Sequence, residues 1–519
     1  MVNVYRESVQ ILSLVKKVIG VCMFLSILVE CIYFPSIDNL CGSIMALCAF
    51  LIFCSVVRTS QIIVEHPFSF FVYFEWMLAH ISPLFGTLVD GNPISFNLIF
   101  PIRTFLLQLL LFCCVSLVFY LYIKQPYRNN VLRVGLYRFG FFNVKKSFLW
   151  FSGFVGIVVQ LLSRSHASYG DVVAKFLVGV TFCQYFPIIM LFPSLLNIHI
   201  TNKEKKYLIV YIIFVFLISL TYNSRTLIIT PICLVALLFF LYLSYDKIYL
   251  FKKINITSFV ILCLVSTFFV KILSNISDAM LSVRGEVRGA TLKEERMSRI
   301  DVLFLTMSNY SDDEKDVEED AINTQIDYAD GWSEQYMSNF MLNRFGNMLV
   351  VDETLYYVDK VGYGNDMIFD SFMNRVLCLF PTPFLELCKI NIDKRDFEYS
   401  SGDILYLLGS KTKGFALGTY RVTSLVADGL ATFGYVSFPI IMVLLYISFH
   451  LLDSFTLQVN GKFYYSCLGL VNVFDFFGIF RNSIGIYNII AFILRTYWEI
   501  CFVYFCVWLF YKFVFCRKI

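Results

Sequence analysis

Charged residues are scarce in this chain of 519 residues, where they make up 15% of the sequence. Soluble globular proteins carry about 25% charged residues, so the composition excludes an ordinary soluble fold. The sequence instead has 58% hydrophobic and 18% aromatic residues, and its mean hydropathy is +0.71. This balance is typical of a protein whose helices lie inside a bilayer.

Motifs of soluble enzymes and metal sites are also missing. The chain has no G-x-x-x-x-G-K-[ST] phosphate loop, no convincing G-x-G-x-x-G and no G-x-S-x-G, so ATP hydrolysis is not expected. It has no C-x-x-C or Cys/His cluster either, and we expect neither a metal nor a cofactor. Most of its 16 cysteines lie in apolar runs. Only Cys378 and Cys388 lie together in a polar region, and whether they form a disulfide is left open.

Apolar runs of bilayer length recur along the chain. A run of about 20 residues spans the hydrocarbon core as a helix, and the sequence contains about 12 such runs. We therefore predict an all-α polytopic membrane protein. The predicted spans are 18–34, 41–57, 68–89, 98–123, 147–163, 172–198, 207–222, 226–245, 255–275, 431–452, 463–480 and 486–511. They give an N-terminal membrane domain (1–275), a large loop (276–430) and a C-terminal membrane domain (431–519).

Basic residues lie almost entirely on one side of the predicted membrane. The connections predicted on the same side as the termini carry about 20 basic residues, and the short connections on the opposite side carry about three. Cytoplasmic connections are enriched in Lys and Arg, so both termini are predicted to be cytoplasmic. The loop 276–430 is then extracytoplasmic. It contains 26 of the 38 acidic residues and 15 Lys or Arg. Its acidic stretch 312–320 is typical of a solvated, mobile segment. Amphipathic stretches such as 341–349 predict short helices packed on the membrane domain.

Arginines on the loop side are the first candidates for chemistry. A guanidinium group is always charged and its donors suit phosphate oxygens. Arg225 lies in a very short connection, where it is either a phosphate ligand or an arginine that snorkels from a helix end. The other candidates on this side are Arg344, Arg375, Arg421 and Arg481.

Ionisable residues near or within the spans form a second group. Asp475 is either functional or the neutralising partner of a nearby arginine such as Arg481. Arg495 and Glu499, four residues apart, are interpreted as a structural ion pair. Glu75 and Arg103 are further candidates, and each is either functional or part of a structural charge pair. Asp428, close to the membrane surface, is either a base or the partner of Arg421.

Three local patterns resemble those of bacterial O-antigen polymerases, also called oligosaccharide repeat-unit polymerases. They are the turn Asn223-Ser224-Arg225-Thr226, the Pro-containing stretch 376–383, and the approach to the next span from Gly418-Thr419 through Asp428-Gly429 to Phe433-Gly434. The patterns are short, and they occur in the family's order together with its topology.

The resemblance implies a glycosyltransferase of GT-C-like architecture at the periplasmic face of the inner membrane. Its substrates would be repeat-unit oligosaccharides linked to undecaprenyl pyrophosphate, and a chain-length-regulating copolymerase is a common partner in the family. Arg225, helped by Arg344 and Arg421, would neutralise the leaving pyrophosphate. Asp428 would be the general base, with Asp366 and Asp370 as second choices.

Other functions compete with polymerisation: an O-antigen ligase or another lipid-linked glycosyltransferase, a repeat-unit flippase, and a generic channel or structural membrane protein. The last of these would not need arginines gathered at one face. An O-antigen ligase has similar topology and uses a histidine in its large loop, but the five histidines here, at 66, 80, 166, 199 and 450, all lie outside 276–430. His166, in a short outer connection, is the one residue that would restore that interpretation. A repeat-unit flippase also has about 12 spans. Its loops are short throughout, which disfavours it here.

Overall fold

Lipid offers a spanning backbone no hydrogen-bond partner other than itself, so the apolar runs fold as α-helices. The structure, a computed structural model, describes residues 2–162, 172–220, 225–246, 328, 336–410, 417–481 and 484–515. Helix is the dominant element in these ranges.

The part before the large loop contains helices α1 to α10. They are α1 (Val2–Tyr33), α2 (Ile37–Val56), α3 (Gln61–Glu65), α4 (Pro67–Val89), α5 (Pro101–Lys124), α6 (Val131–Arg138), α7 (Lys146–Leu162), α8 (Val172–Val180), α9 (Asn202–Leu220) and α10 (Arg225–Tyr245). The 3-10 helices Thr181–Leu191 and Pro193–Leu196 follow α8.

The later part contains both short and long helices. Its helices are α11 (Phe340–Gly346), α12 (Met348–Val361), α13 (Asp366–Leu377), α14 (Thr382–Leu387), α15 (Ser401–Gly409), α16 (Leu425–Phe433), α17 (Ser437–Leu452), α18 (Cys467–Val471), α19 (Val473–Phe477), α20 (Ile486–Ala491) and α21 (Tyr497–Phe515). Strands β1 (Thr456–Val459) and β2 (Lys462–Tyr465) follow α17. The remaining turns are 3-10 helices at Lys394–Phe397, Gly434–Val436 and Asp453–Phe455 and a π-helix at Phe492–Thr496.

Seven helical stretches in the described ranges are long and apolar enough to cross a membrane. They are Leu12–Tyr33, Ile37–Val56, Pro67–Val89, Pro101–Lys124, Thr226–Tyr245, Leu425–Phe455 and Ile486–Phe515. Lys146–Leu162 and Phe176–Leu191 are shorter apolar helices. The protein is therefore a mostly helical, multi-pass membrane protein. The count of about 12 spans stays a prediction, and the predicted span 255–275 lies outside the described residues.

The predicted span 463–480 is not one helix. It begins as strand β2, which pairs antiparallel with β1, and continues as the five-residue helices α18 and α19. The hairpin turn is Asn460-Gly461, with positive φ at both residues, as a tight two-residue turn requires. The all-α prediction missed this hairpin. Breaks in a helix at membrane depth need surrounding protein, and Cys467, Leu468 and Leu470 are fully buried.

The predicted span 172–198 changes from α8 to a 3-10 helix of 11 residues. Runs of 3-10 helix this long are uncommon. Helix α7 approaches this stretch closely through glycines: a Cβ on Gly156 would lie 2.1 Å from the backbone nitrogen of Gln184, and one on Gly153 would lie 2.3 Å from the Pro187 ring. The contact therefore depends on the absence of side chains at 153 and 156.

The bundle has two distinct ends. At the loop end, Glu30 of α1 accepts the Ile94 N–H at 2.7 Å, just beyond α4. At the basic end, Ser147 at the start of α7 bonds Tyr511 of α21 at 2.5 Å, and Lys146 bonds Glu204 at 2.6 Å. The described basic residues of the predicted cytoplasmic connections cluster at this second end. They include Arg58, Lys124, Arg128, Arg133, Arg138, Lys145, Lys203, Lys462 and Lys512.

The short helices of the large loop are packed on the loop end. Asp352 of α12 accepts the backbone N–H groups of Ile99 at 2.6 Å and Phe100 at 3.1 Å, directly before α5. Helix α11 packs against α4, and α12 packs against α15 and α16. Residues 336–410 and 417–424 thus form a helical layer at this end of the membrane helices. The acidic stretch 312–320 lies outside the described residues.

Candidate functional site

Arg344 and Arg481 approach one another at the loop end. Helix α11 carries Arg344 and lies tightly on α4, because a Cβ on Gly346 would be only 2.1 Å from Ser82 Oγ. Arg481 follows α19, whose Phe477 ring packs against Phe345 with centroids 5.5 Å apart. The two arginines come from distant parts of the sequence, and the packing of α11 and α19 against α4 brings them together.

The electrostatics of this arginine pair are those of two partly desolvated cations. Burial, together with the charge of Arg344, lowers the pKa of Arg481 to about 10, although Glu75 opposes this shift. Burial also lowers the pKa of Arg344, which still keeps exposed surface. Among the described residues, no carboxylate forms an ion pair with either arginine. Such a pair attracts an anion with closely spaced charges.

Arg375 and Asp428 form a second group, beside the start of α20. Asp428 is buried and accepts the Ile486 N–H at 2.7 Å. Arg375, also buried, donates to Ser401 Oγ at 2.7 Å, and its guanidinium lies 4.2 Å from the centre of the Tyr487 ring. A Cβ on Gly485 would lie 2.5 Å from Asp428 Oδ2, so the close approach of the carboxylate depends on this glycine.

Arg421 belongs to a third group, centred on Asp403. The Asp403 carboxylate is fully buried and accepts the N–H groups of Tyr420 at 2.9 Å and Arg421 at 3.0 Å. It also accepts Gly418 N–H at 3.1 Å and Thr419 Oγ1–H at 2.7 Å. Burial raises the pKa of Asp403, but these donors outweigh it and the net pKa lies below the usual value. Asp403 therefore shapes the turn that approaches α16.

The partners of Arg421 and Asp428 differ from those predicted. Arg421 lies 3.7 Å from Asp403 and covers the Tyr406 ring at 4.2 Å, so Asp428 is not its partner. The nearby cation for Asp428 is Arg375. The sequence could not show this, because Arg375 and Asp428 meet only when α13 packs against α16.

Two of the other predicted site residues lie elsewhere, and the side chain of a third is not described. Asp366 and Asp370 are exposed on α13, on the side away from the buried Arg375. No contact among the described residues brings them to the arginines. Arg225 is the first residue of α10, and its side chain lies outside the described residues.

The remaining charged candidates also have definite places. Arg495 and Glu499 form the predicted ion pair at 3.0 Å. Arg103 forms an ion pair with Asp359 and also donates to the Tyr363 hydroxyl at 2.7 Å, so it connects α5 to α12. Asp475 is not the partner of Arg481 in any ion pair of the described residues, and its side chain keeps exposed surface.

Cysteines and metal ligands add no further site in the described part of the chain. Cys378 and Cys388 are free thiols, which answers the question left open by their spacing. No group of three or more His, Cys, Asp or Glu side chains in the described ranges is arranged to hold a metal ion.

Sequence reasoning missed Asp352 and Asp403, the two buried carboxylates that organise the loop helices. Asp403 had a local signal: Ser400 and Asp403 form a capping box at the start of α15. The donors to Asp352 come from residues 99, 100, 104 and 328, so its role depends on tertiary contacts that no local pattern shows.

The fold and its polar groups together define a multi-pass helical membrane protein with an arginine-bearing helical layer at one end. Comparison with protein-family models, with curated proteins and with solved structures found no significant match to the chain.

Proposed function

We propose that this protein is a glycosyltransferase that polymerises polyprenyl-pyrophosphate-linked oligosaccharide repeat units, as bacterial O-antigen polymerases do. The observation that carries the proposal is the approach of Arg344 and Arg481 at the loop end. Neither forms an ion pair with a described carboxylate. In the orientation proposed below, a lipid-anchored pyrophosphate would meet the protein at this end. Undecaprenyl pyrophosphate carries its charged groups at the membrane surface, next to the sugar that reacts.

The reaction would break one bond and form another at the same sugar carbon. The bond between the anomeric carbon of the growing chain and its pyrophosphate oxygen breaks, and a hydroxyl of the incoming unit bonds to that carbon. The leaving pyrophosphate gains negative charge, which Arg344 and Arg481 would stabilise electrostatically. Arg225, at the start of α10, is proposed as a third cation. The hydroxyl proton goes to a carboxylate base.

Asp428 remains the proposed base, and this role requires that the acceptor sugar can reach its carboxylate. One of its oxygens accepts the Ile486 N–H, and the carboxylate lies beside Ser401 and Arg375. A general base must come within about 3 Å of the hydroxyl that it deprotonates. Because Asp428 is 4% exposed, the acceptor sugar would have to enter between α16 and the start of α20. The exposed Asp366 and Asp370 are weaker candidates, because no described arginine lies near them.

We further propose that the protein lies in the bacterial inner membrane, with both termini in the cytoplasm and the large loop in the periplasm. The clustering of basic residues at the end opposite the helical layer supports this orientation. A copolymerase that regulates chain length is proposed as a partner on the strength of the family resemblance alone.

The histidines disfavour the ligase alternative. His66 bonds Asp453 at 3.0 Å at the basic end, where His199 and His450 also lie. His80 is buried in α4, with its ring nitrogens 2.7 Å from Trp76 O and 3.1 Å from Gln108 O. None of these four described histidines lies in the helical layer of the loop end. His166 lies outside the described residues.

Deletion of the gene tests the proposal and separates its alternatives. Gel analysis of surface lipopolysaccharide should show the lipid core carrying a single repeat unit in place of a ladder. A bare core with accumulated long lipid-linked chains would point to a ligase. A bare core with repeat units trapped on the cytoplasmic side would point to a flippase. Either of these results would overturn the polymerase.

A further inference from the structure

Two exposed tyrosines pack on one another where the helical layer meets the membrane helices. Tyr363 follows α12, and Tyr435 lies between α16 and α17. Their rings are nearly parallel, with an interplanar angle of 20° and centroids 5.7 Å apart. Tyr363 is 44% exposed and Tyr435 66% exposed, and the neighbouring Val436 is exposed as well. Apolar groups gathered in one exposed patch, unlike single ones, mark a site of interaction.

The backbone that carries the tyrosine pair is fixed. Gly364, directly after Tyr363, donates its N–H to the Leu430 carbonyl of α16 at 3.0 Å, and the next residue of each segment forms the same bond at 2.8 Å. Gly434, directly before Tyr435, has a φ of +60°, which residues with a side chain rarely adopt. The two rings are therefore held in place before any ligand arrives, and a preformed surface avoids the entropic cost of ordering on binding.

Polar groups with compensating charges flank the pair. The Tyr363 hydroxyl accepts a hydrogen bond from Arg103 at 2.7 Å and donates one to Asp359 at 3.2 Å. Arg103 and Asp359 form an ion pair in which both side chains keep exposed surface. A guanidinium and a carboxylate offer more donors and acceptors than these contacts use. The next charges along the chain, the exposed Lys360 and Asp366, are also of opposite sign.

We propose that the tyrosine pair is a saccharide subsite, which holds a neutral sugar ring of the lipid-linked oligosaccharide at the loop end. This inference rests on the proposed function. A pyranose ring has a face of C–H groups that packs on an aromatic ring, and hydroxyl groups at its edge. The tyrosine rings match the face, and the pair Arg103–Asp359 matches the edge. Because the charges compensate one another, the surface favours a neutral sugar over an anionic headgroup.

The subsite lies close to the proposed base along α16. Asp428 and the last residue of this helix, Phe433, are separated by about 8 Å of helix, and Tyr435 comes directly afterwards. A sugar on the tyrosine pair is therefore a neighbour of the reacting sugar and not the reacting sugar itself. Contacts to such a remote unit are the same in the ground state and in the transition state, so their loss should raise KM and leave kcat unchanged.

Tyrosines also serve as anchors at membrane interfaces, and this role makes different predictions. Tyr435→Leu keeps an apolar side chain but removes the aromatic ring, so it would preserve an anchor and destroy a stacking surface. Tyr435→Ala removes the ring too and serves as the second variant. Tyr435→Phe keeps the ring. The matched control is Tyr207→Ala, because Tyr207 is 67% exposed at the opposite, basic end of the bundle.

The experiment combines turnover and binding with the full-length protein. Turnover is measured in liposomes with the polyprenyl-pyrophosphate-linked repeat unit. Binding is measured in detergent by saturation-transfer NMR with the free repeat-unit oligosaccharide, released by mild acid from the cells' lipid-linked units. We expect Tyr435→Leu and Tyr435→Ala to raise KM about tenfold at unchanged kcat and to lose most of the oligosaccharide signal. Tyr435→Phe and Tyr207→Ala should match the wild type in both measurements.

The outcomes separate the subsite from the polymerase. Unchanged KM and unchanged oligosaccharide binding in Tyr435→Leu, with an active wild type, would overturn the subsite and leave the polymerase proposal intact. A rise in KM that Tyr435→Leu lacks and Tyr435→Ala shows would assign Tyr435 to membrane anchoring. Binding that depends on the Tyr435 ring in a protein that forms no ladder would support the subsite and overturn the polymerase. Neither binding nor a ladder would overturn both.

Discussion

The carboxylate of Asp352 accepts the backbone N–H of Ile99 at 2.6 Å, and it is thereby joined to the chain directly before α5. Its other donors are the Phe100 N–H, the Thr104 hydroxyl and the Tyr328 hydroxyl. The backbone donors are the N-cap residue Phe100 and the residue before it, and Thr104 lies in the first turn of α5. A residue of the large loop therefore fixes the segment that leads into a membrane helix.

Replacement of Asp352 by Asn should loosen the helical layer from the membrane domain. The amide keeps one acceptor oxygen, but its NH2 group would face donors, and buried charged hydrogen bonds would be lost. We expect a loss of about 3 kcal/mol in the free energy of unfolding. Thermal unfolding in detergent measures the change. The control is Asp359→Asn, whose partly exposed ion pair with Arg103 contributes about 1 kcal/mol or less. Equal melting temperatures for the two variants would contradict this role.

The turn 417–421 should open in acid. Its N–H donors hold the pKa of Asp403 below the usual value despite burial. The stabilisation by this carboxylate is therefore fully present above its unfolded pKa of about 3.9, and it is lost as the pH falls through the lower folded pKa. Hydrogen-exchange protection of the Tyr420 and Arg421 amides should persist at pH 5 and fall only at a pH below the usual pKa of an aspartate, about 3.9. Asp403→Asn should lack this protection already at neutral pH. Protection equal to that of the wild type in this variant would exclude the role.

Loss of either arginine of the pair should abolish long chains. Arg344→Ala and Arg481→Ala each remove one of two cations proposed to stabilise the leaving group, and we expect turnover to fall by about 10²-fold or more. Lipopolysaccharide gels and protein levels measure the effect in cells that express each variant. Arg395→Ala is the matched control, because Arg395 is largely exposed and paired with Asp393. A full ladder in both Arg344→Ala and Arg481→Ala would remove this pair from the mechanism.

The variant Asp428→Asn distinguishes two roles of Asp428, that of a general base and that of a residue that only holds the local structure. The amide oxygen can still accept the Ile486 N–H, so the local fold should survive while the basic group is lost. If Asp428 is the base, kcat should fall by about 10²–10⁴-fold with little change in KM. Asp366→Asn and Asp370→Asn should retain wild-type kcat, because both carboxylates are exposed on α13. A normal kcat in Asp428→Asn would assign Asp428 to positioning α20 and Arg375.

The sequence predicted the class of fold better than the details of its interior. Apolar length and the one-sided distribution of basic residues are local properties, so they indicate a multi-pass helical protein directly. The hairpin at 456–465 had a clear signal in Asn460-Gly461, but the apolar residues that follow it suggested a continuous span. The 3-10 stretch after α8 had no signal in the sequence, because it depends on the close approach of Gly153 and Gly156 of α7 to this stretch.

The sequence predicted which residues belong to the candidate site, but it did not predict which residues they contact. Their position on the loop side, opposite most of the basic residues, singled out Arg344, Arg375, Arg421 and Arg481. Their neighbours come from distant segments: Asp403 lies beside Arg421, and Asp428 beside Arg375. Glu75 was visible as an intramembrane acidic residue, yet the sequence does not show that both its oxygens are buried without a hydrogen bond in the described ranges.

Reconstitution of the purified protein with a single lipid-linked substrate tests the central claim most directly. The substrate is a polyprenyl-pyrophosphate-linked repeat unit, presented in liposomes without any other enzyme, and the products are separated by gel or mass spectrometry. The account predicts a ladder of lipid-linked chains that differ by one repeat unit, with release of polyprenyl pyrophosphate for each bond formed. It also predicts no ladder with Arg481→Ala. Exclusive recovery of the unchanged single unit by the wild-type protein would contradict it.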